Sequence, residues 1–163
     1  MKYSLHKLDL TLKRFLLAYI SVLTIGVMLG LLYVRTNTSF SLNGTVERFN
    51  GSSVDDEFSV PENYPKPISE LLMTTHNHII GFSFIFFSIG MIFYFNSTII
   101  GVFKNILLFE PFLSILLTFG SIWGMRFIDD LFVYLLFISS TIMYLSYFIM
   151  AGVSAYELLF KKN

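Results

Sequence analysis

Four segments of this chain are long and apolar enough to cross a lipid bilayer, and they constrain the fold more than any other feature. They cover about residues 15–34, 71–95, 106–127 and 131–160. Crossing a hydrocarbon layer of about 30 Å takes roughly 20 helical residues. A lone strand in lipid would leave its backbone groups unpaired, so each segment is expected to be a helix. The sequence therefore predicts an all-α integral membrane four-helix bundle, built as a single transmembrane domain over residues 1–163.

Composition agrees with a membrane location and narrows the classes of function. Hydrophobic residues make up 55% of the chain and charged residues 13%, and the charged share is about half that of an ordinary soluble domain. The formal net charge is zero, so no nucleic-acid partner is expected. The chain has no cysteine, which excludes disulfides, thiolate metal sites and covalently attached c-type haem.

Basic residues near the ends of the apolar segments predict the orientation. An even number of spans places all of them on one side, which the positive-inside rule assigns to the cytoplasm. We therefore expect both termini in the cytoplasm and the protein in a bacterial inner membrane. No small-residue cleavage site follows the first segment, so it is expected to remain as an anchor. These basic residues are Lys2, Lys7, Lys13, Arg14, Lys104, Lys161 and Lys162.

The opposite, extracytoplasmic side is predicted to carry one long loop, about residues 35–70. Turn signals at Asn43–Gly44 and Asn50–Gly51, set in alternating sequence, favour a small hairpin. Three prolines between positions 61 and 67 predict an extended approach to the second helix. The loop is too short for a core of its own, so it is expected to pack on the bundle or on a partner.

Two of the three histidines, His76 and His78, lie where the second apolar segment begins. Positions two apart on a helix point about 200° apart, so these rings are not expected to grip one metal ion together. Both are expected in the outer part of the membrane, where an unpaired polar group is costly. Each ring therefore needs a partner. That partner is either a metal ion or haem, or hydrogen bonds at the helix start and to the outer loop.

A haem b is the cofactor that this region could hold, and its axial ligands are the first requirement. His76 or His78 supplies an imidazole. His6 is predicted to lie on the other side of the membrane and cannot supply the second. Met28 or Met125 remains for that position, as does a histidine from a second copy of the chain.

The haem propionates would need basic or polar groups near the outer surface. Arg126 and Arg35 are predicted at this level, as are the hydroxyls of Thr74 and Thr75. With His76, His78 and Met28, Arg126 completes the candidate cofactor-binding set. If a metal ion is bound instead, His76 and His78 are the candidate ligands.

Two acidic residues in the apolar segments have simpler interpretations. Glu110 precedes Pro111 at the predicted start of the third helix, where a carboxylate suits the helix dipole. Glu157 lies one helical turn from Lys161, which predicts a surface ion pair. The sequence contains no nucleophile-and-base set and no phosphate loop, so we do not expect the chain to be a self-contained enzyme.

Two glycine pairs have the G-x-x-x-G spacing that lets helices approach closely. They are Gly26–Gly30 in the first segment and Gly120–Gly124 in the third. We expect at least one pair to form an internal helix contact, with subunit assembly as the alternative.

The element Thr75-His76-Asn77-His78, followed by Gly81, resembles segments of small bacterial membrane proteins. It is also similar to b-type cytochrome subunits of respiratory complexes. The resemblance covers the second apolar segment only, and it implies electron transport with a bound haem b.

Together these features predict an accessory membrane subunit of a respiratory or electron-transfer complex, binding haem b or a metal ion near the outer face. The alternative is a cofactor-free structural subunit that uses the glycine faces and 19 phenylalanines to pack against larger partners. In either case the expected partners are membrane lipid and other membrane subunits, or a second copy of this chain.

Overall fold

The computed structural model describes residues 4–52, 61 and 63–161. Over these residues the chain forms helices and no strand. Four of the helices are long and apolar enough to cross a membrane, which confirms the predicted all-α transmembrane fold. In chain order the elements are a 3₁₀ helix (Leu5–Lys7), α1 (Leu10–Thr38), α2 (Leu42–Asn50), α3 (Ile68–Tyr94), α4 (Gly101–Phe127) and α5 (Phe132–Phe160).

The helices run up and down, so the bundle has two distinct ends. The terminal end carries the 3₁₀ helix, the link between α3 and α4, and the end of α5. The loop end carries α2 and the tight turn between α4 and α5. Predicted orientation would place the terminal end in the cytoplasm.

Helix α2 replaces the predicted hairpin. The Ser41 hydroxyl accepts a hydrogen bond from the backbone N–H of Gly44 and caps the helix start, as serine does at many helix N-termini. Gly51 ends the helix with a φ of 88°, a conformation that favours glycine. The Asn50–Gly51 signal is therefore a helix end, while Asn43–Gly44 lies inside the first turn. The hairpin prediction was wrong over 42–50, and residues 53–60 and 62 lie outside the described part.

Helices α4 and α5 form the centre of the bundle, and α3 packs against both. Their shared core includes Ile115, Phe119, Met143, Tyr147 and Met150, each with at most 6% of its surface exposed. Helix α1 is peripheral. Of its 29 residues, three are buried, Ile20, Val27 and Thr38, so most of α1 is left to face lipid or another chain.

The glycines of the two G-x-x-x-G pairs differ in how closely other groups approach them. A Cβ added at Gly124 would overlap the ring of Phe132, whereas one added at Gly120, Gly26 or Gly30 would meet nothing within 4 Å. Gly124 alone has a close neighbour, the first residue of α5, so neither pair forms the predicted helix contact through both of its glycines. The other three glycines face open space in this chain.

Candidate functional site

His78 lies on the exposed side of α3, and its ring is held in a fixed orientation. Its Nδ1 is 2.7 Å from the carbonyl oxygen of Thr74, one turn earlier. Since a carbonyl can only accept, Nδ1 donates its hydrogen and Nε2 keeps a free lone pair. The ring also packs against Phe119, with centroids 5.2 Å apart, and Phe82, at 6.1 Å. This arrangement is the one by which proteins orient an imidazole for coordination through Nε2.

The contact between Thr75 and a tryptophan indicates how deep this region lies in the membrane. The Thr75 hydroxyl accepts a hydrogen bond of 2.9 Å from Nε1 of Trp123 on α4. Tryptophan is enriched at the boundary between hydrocarbon and headgroups. Three residues further along α3, His78 lies about 5 Å closer to the membrane centre.

His76 is also exposed, but it does not share the surroundings of His78. The two histidines are two positions apart, so their side chains leave α3 about 200° apart. No other group in the described residues fixes the His76 ring. The two imidazoles do not converge on one point.

Met28 lies on α1 with 53% of its surface exposed. Gly26 and Gly30 line the cleft between α1 and α3, together with Phe82. Met28 is two residues from each glycine and therefore points about 200° away from that cleft. The structure does not bring its sulfur to His78. Met125 is 2% exposed and belongs to the core.

Arg126 belongs to a separate polar cavity at the loop end, about 430 Å³ in volume, which it lines with Asn50 and residues 127–130. Its guanidinium lies 5.6 Å from the centre of the Phe127 ring. Its Nε is buried and has no hydrogen-bond partner among the described residues. Arg126 is seven residues beyond Phe119, a rise of roughly 10 Å along α4, so it is remote from His78.

Asn50 ties α2 to the wall of this cavity. Its amide donates to the carbonyl of Met125 at 2.9 Å and to the Asp130 carboxylate at 2.6 Å. In the part of the chain that the structure describes, no three histidine or acidic side chains converge as a metal site. Among the candidate ligands, His78 is the one whose ring is held by both a hydrogen bond and aromatic packing.

A second polar centre, which the sequence reasoning missed, surrounds Glu157 at the terminal end. Glu157 is 0% exposed. One carboxylate oxygen accepts from Nδ1 of His6 at 3.0 Å and from the hydroxyl of Ser97 at 2.7 Å. The other accepts from the Asn96 amide at 2.8 Å, from the backbone N–H of Ser97 at 2.7 Å and from the Thr98 hydroxyl at 3.2 Å.

The predicted surface pair between Glu157 and Lys161 was wrong. The ammonium of Lys161 donates to the Ser97 hydroxyl at 2.9 Å instead. The Glu157 carboxylate faces inward because the link between α3 and α4 folds over it and supplies most of its donors. One feature of the sequence could have indicated that Glu157 is buried and bonded: an ionisable residue inside an apolar segment is costly unless it is paired. The network binds together the chain start, this link and α5.

His6 is the member of this network that holds the chain start. The backbone N–H of Leu5 also bonds to the Phe95 carbonyl at 3.1 Å, and Leu5 is 1% exposed. We expect His6→Ala to free this segment, because a bond to a charged group contributes about 1.5–3 kcal/mol. Tryptic cleavage after Lys7 in detergent should become roughly tenfold faster or more, given 1.4 kcal/mol per factor of ten. Cleavage after Lys13, inside α1, serves as the reference, and an equal rise at both sites would contradict the expectation.

Glu110 was also misplaced by the sequence reasoning. Helix α4 begins at Gly101, so Glu110 lies well inside the helix and cannot serve as a favourable charge in its first turn. Its carboxylate accepts hydrogen bonds from Ser114 on α4 and from Ser146 on α5. It is a membrane-embedded group with partners on two helices.

Comparison with known proteins supports the membrane assignment. The model of a family described as a transmembrane helical domain matches residues 39–163. No curated protein and no solved structure matches the chain. The matched residues include α2 to α5 and therefore His78, Glu110 and Glu157, while α1 lies before them. Since the match covers well over half of the sequence, the chain belongs to the Aq_1264_TM family of transmembrane helical domains.

Proposed function

We propose that this protein is an accessory subunit of a membrane electron-transfer complex, in which His78 supplies one ligand to a haem b or metal ion held against another membrane chain. The observation that carries the proposal is the fixed imidazole of His78. Its Nδ1 is bonded to the Thr74 carbonyl at 2.7 Å, and in the neutral ring Nε2 is the atom left to coordinate.

A second chain is required because, among the residues that the structure describes, His78 is the single suitable ligand. Met28 faces away from the α1–α3 cleft, and Arg126 lies roughly 10 Å further along α4 than the ring of Phe119. A six-coordinate haem b would need its second axial ligand from elsewhere. A partner would also relieve an exposed imidazole that otherwise faces lipid, where an unpaired polar group is unfavourable. The proposal takes the terminal end to be cytoplasmic in a bacterial cell, because the basic residues favour that orientation, and His78 then lies near the opposite face.

The test is the absorption spectrum and metal content of the complex purified from native membranes. We expect a Soret band that shifts on reduction with dithionite, or a bound metal ion. His78→Ala should lower the bound amount by at least the roughly 10–100-fold typical for loss of a supporting ligand contact. His76→Ala is the matched control, since His76 is a neighbouring exposed histidine on α3. Equal content in both variants, or neither haem nor metal in the intact wild-type complex, would refute the proposal.

A cofactor-free structural subunit is the second candidate, and the cleft between α1 and α3 favours it. This cleft has a volume of about 380 Å³ and apolar walls that include Gly26, Gly30, Val27 and Ile85. Neither glycine has a neighbour within 4 Å of an added Cβ, so the chain itself does not use their close-packing capacity. A helix of a partner subunit is the occupant that such a small-residue face suits.

Replacing both Gly26 and Gly30 by leucine tests the binding of a partner helix separately from the folding of this chain. Both positions are open in the single chain, so the double variant should be as stable as the wild type. The amount of partner subunit that co-purifies with it should fall to a small fraction of the wild-type amount. Gly152→Leu on α5 is the control, since Gly152 is equally open. Under this second candidate, alanine at both His76 and His78 leaves assembly and activity nearly intact. Unchanged recovery of partners with the double leucine variant would argue against a docking role for the cleft.

A further inference from the structure

Glu110 is a carboxyl group inside the membrane-spanning part of α4. It lies six residues after Lys104, whose ammonium bonds to the carbonyls of Tyr94 and Asn96 at the terminal end. At about 1.5 Å per residue, Glu110 is therefore roughly 9 Å deeper along α4. An ionisable side chain at such a depth is expensive, and it indicates a functional site unless it is fully neutralised by neighbours.

Neutral hydroxyls, rather than cations, are the groups that contact Glu110. Ser114, one turn further along α4, donates to Oε1. Ser146 on α5 donates to Oε2 at 2.6 Å. Both serines are buried, while Glu110 itself is half-buried and open on one side. Over the described residues, no charged group lies within bonding distance of this carboxyl.

Other titratable groups on the helices packed against Glu110 point elsewhere. On α5, the Tyr147 hydroxyl lies 3.0 Å from the Thr24 hydroxyl of α1, and the Tyr144 ring packs against Phe82 of α3. On α3, between residues 79 and 94, the titratable side chain is Tyr94, at the terminal end. Along α4, Lys104 and Arg126 lie toward the two ends. Within the described ranges, the partners of Glu110 are thus two neutral hydroxyls.

The serine pair suits both protonation states of the carboxyl. A hydroxyl can donate or accept by rotating, because it carries one hydrogen and two lone pairs. The carboxylate accepts from both serines, and the neutral acid donates its O–H to one serine while accepting from the other. The surroundings of Glu157 differ, since the Asn96 amide and the Ser97 backbone N–H only donate toward it. These two fixed donors on one oxygen favour the anion, while the Ser97 and Thr98 hydroxyls, like those around Glu110, can also reverse.

We propose that Glu110, Ser114 and Ser146 form a proton-binding site within the membrane. On uptake, a proton bonds to one carboxyl oxygen and one serine reverses from donor to acceptor. On release, that O–H bond breaks, the proton leaves and both serines again donate to the carboxylate. Thr118 and Ser139, whose hydroxyls are 2.8 Å apart, continue the polar seam between α4 and α5 by one turn toward the loop end. The site is separate from His78 and does not depend on the proposed cofactor.

A hydrophobic carbodiimide tests this site, because it reacts with protonated carboxyl groups in lipid. The acid's oxygen bonds to the central carbon of dicyclohexylcarbodiimide and its proton moves to nitrogen, after which the acyl group transfers to nitrogen as a stable acylurea. With the full chain in lipid vesicles, we expect mass spectrometry to locate the label on Glu110. Labelling should fall as the pH is raised, because the reagent reacts with the protonated acid. Glu157 should remain unlabelled, and Glu110→Gln should abolish the modification.

Ser146→Ala tests the role of the hydroxyl pair. It removes a donor to the carboxylate, so the protonated form should persist to higher pH and labelling should extend in that direction. Ser140→Ala is the control, since the Ser140 hydroxyl bonds to the Phe137 carbonyl of its own helix. An unchanged pH profile in Ser146→Ala would overturn the role of the pair. Absence of label on folded wild type, labelling independent of pH, or suppression by sodium at fixed pH would overturn the proton site.

Discussion

Replacing Glu157 by alanine is expected to lower the free energy of unfolding by about 3–5 kcal/mol, the effect of removing one partner from a buried ionic network. The carboxylate is 0% exposed and accepts from His6, Asn96, Ser97 and Thr98. Without it, the half-buried Ser97 N–H loses its acceptor and the buried Asn96 amide keeps only a 3.5 Å bond to the Val153 carbonyl, and the loss of an acceptor is unfavourable for each donor. Unfolding in mixed micelles of a mild detergent and dodecyl sulfate, followed by circular dichroism, measures the change.

Glu70→Ala is the matched control for this variant. Glu70 pairs at the protein surface with Lys66, which precedes α3, at 2.8 Å, and such a surface pair contributes about 0.2–1 kcal/mol. We therefore expect a difference of several kilocalories per mole between two glutamate-to-alanine changes. A loss in Glu157→Ala no greater than in Glu70→Ala would show that the network is dispensable.

The fold was predictable because lipid leaves the chain few choices. Backbone groups in hydrocarbon must bond within their own segment, so four apolar segments of sufficient length become four helices. The divergence of His76 and His78 was predictable for a similar reason, since 100° per residue is a local property of any α-helix. Neither inference requires knowledge of which helices are neighbours.

The prediction from turn residues failed at α2, because the same residue types occur in hairpin turns and at helix ends. Asn43–Gly44 and Asn50–Gly51 suit a hairpin, but Ser41 also suits a helix cap and Gly51 a helix end. Packing decides between the two, because α2 buries Thr45 and ties Asn50 to the end of α4. A strand pair there would have no sheet to join.

The polar centres were missed because their partners are distant in sequence. Glu157 meets His6 across 151 positions, and Glu110 meets Ser146 across 36. Spacing within one helix identified Lys161 as the neighbour of Glu157, but the link between α3 and α4 folds over the carboxylate and supplies other donors. The sequence showed that each acid lies in an apolar segment, and only the packing of α4 against α5 shows what each acid contacts.

The three polar regions differ in how far this chain alone satisfies them. Both carboxylate oxygens of Glu157 accept several hydrogen bonds, which is best explained by a structural role in holding the terminal end together. Glu110 has two reversible partners, which suits a group that changes protonation state. One ring nitrogen of His78 is bonded to the Thr74 carbonyl, and the other has no hydrogen-bond partner among the described residues. The need for a group from another molecule therefore increases from Glu157 to His78, toward the loop end of the bundle.

Replacing Gly124 by alanine is expected to destabilise the bundle by about 1–3 kcal/mol, as overpacking does in a filled core. A Cβ at this position would overlap the ring of Phe132, so that ring or the backbone must shift to admit it. The intrinsic preference of alanine for helices, about 0.8–1 kcal/mol over glycine, offsets part of the loss. The same micelle unfolding measurement reports the balance.

Gly120→Ala isolates the packing effect from the helix preference. Gly120 lies one turn earlier on α4 and has nothing within 4 Å of an added Cβ, so this variant should be neutral or slightly more stable. Combining Gly124→Ala with Phe132→Ala should cancel part of the damage, with a coupling of roughly 0.5–3 kcal/mol for residues in contact. If Gly124→Ala proved as stable as Gly120→Ala, the close approach at this turn would not contribute to the stability of the α4–α5 hairpin, and the glycine at 124 would need another explanation.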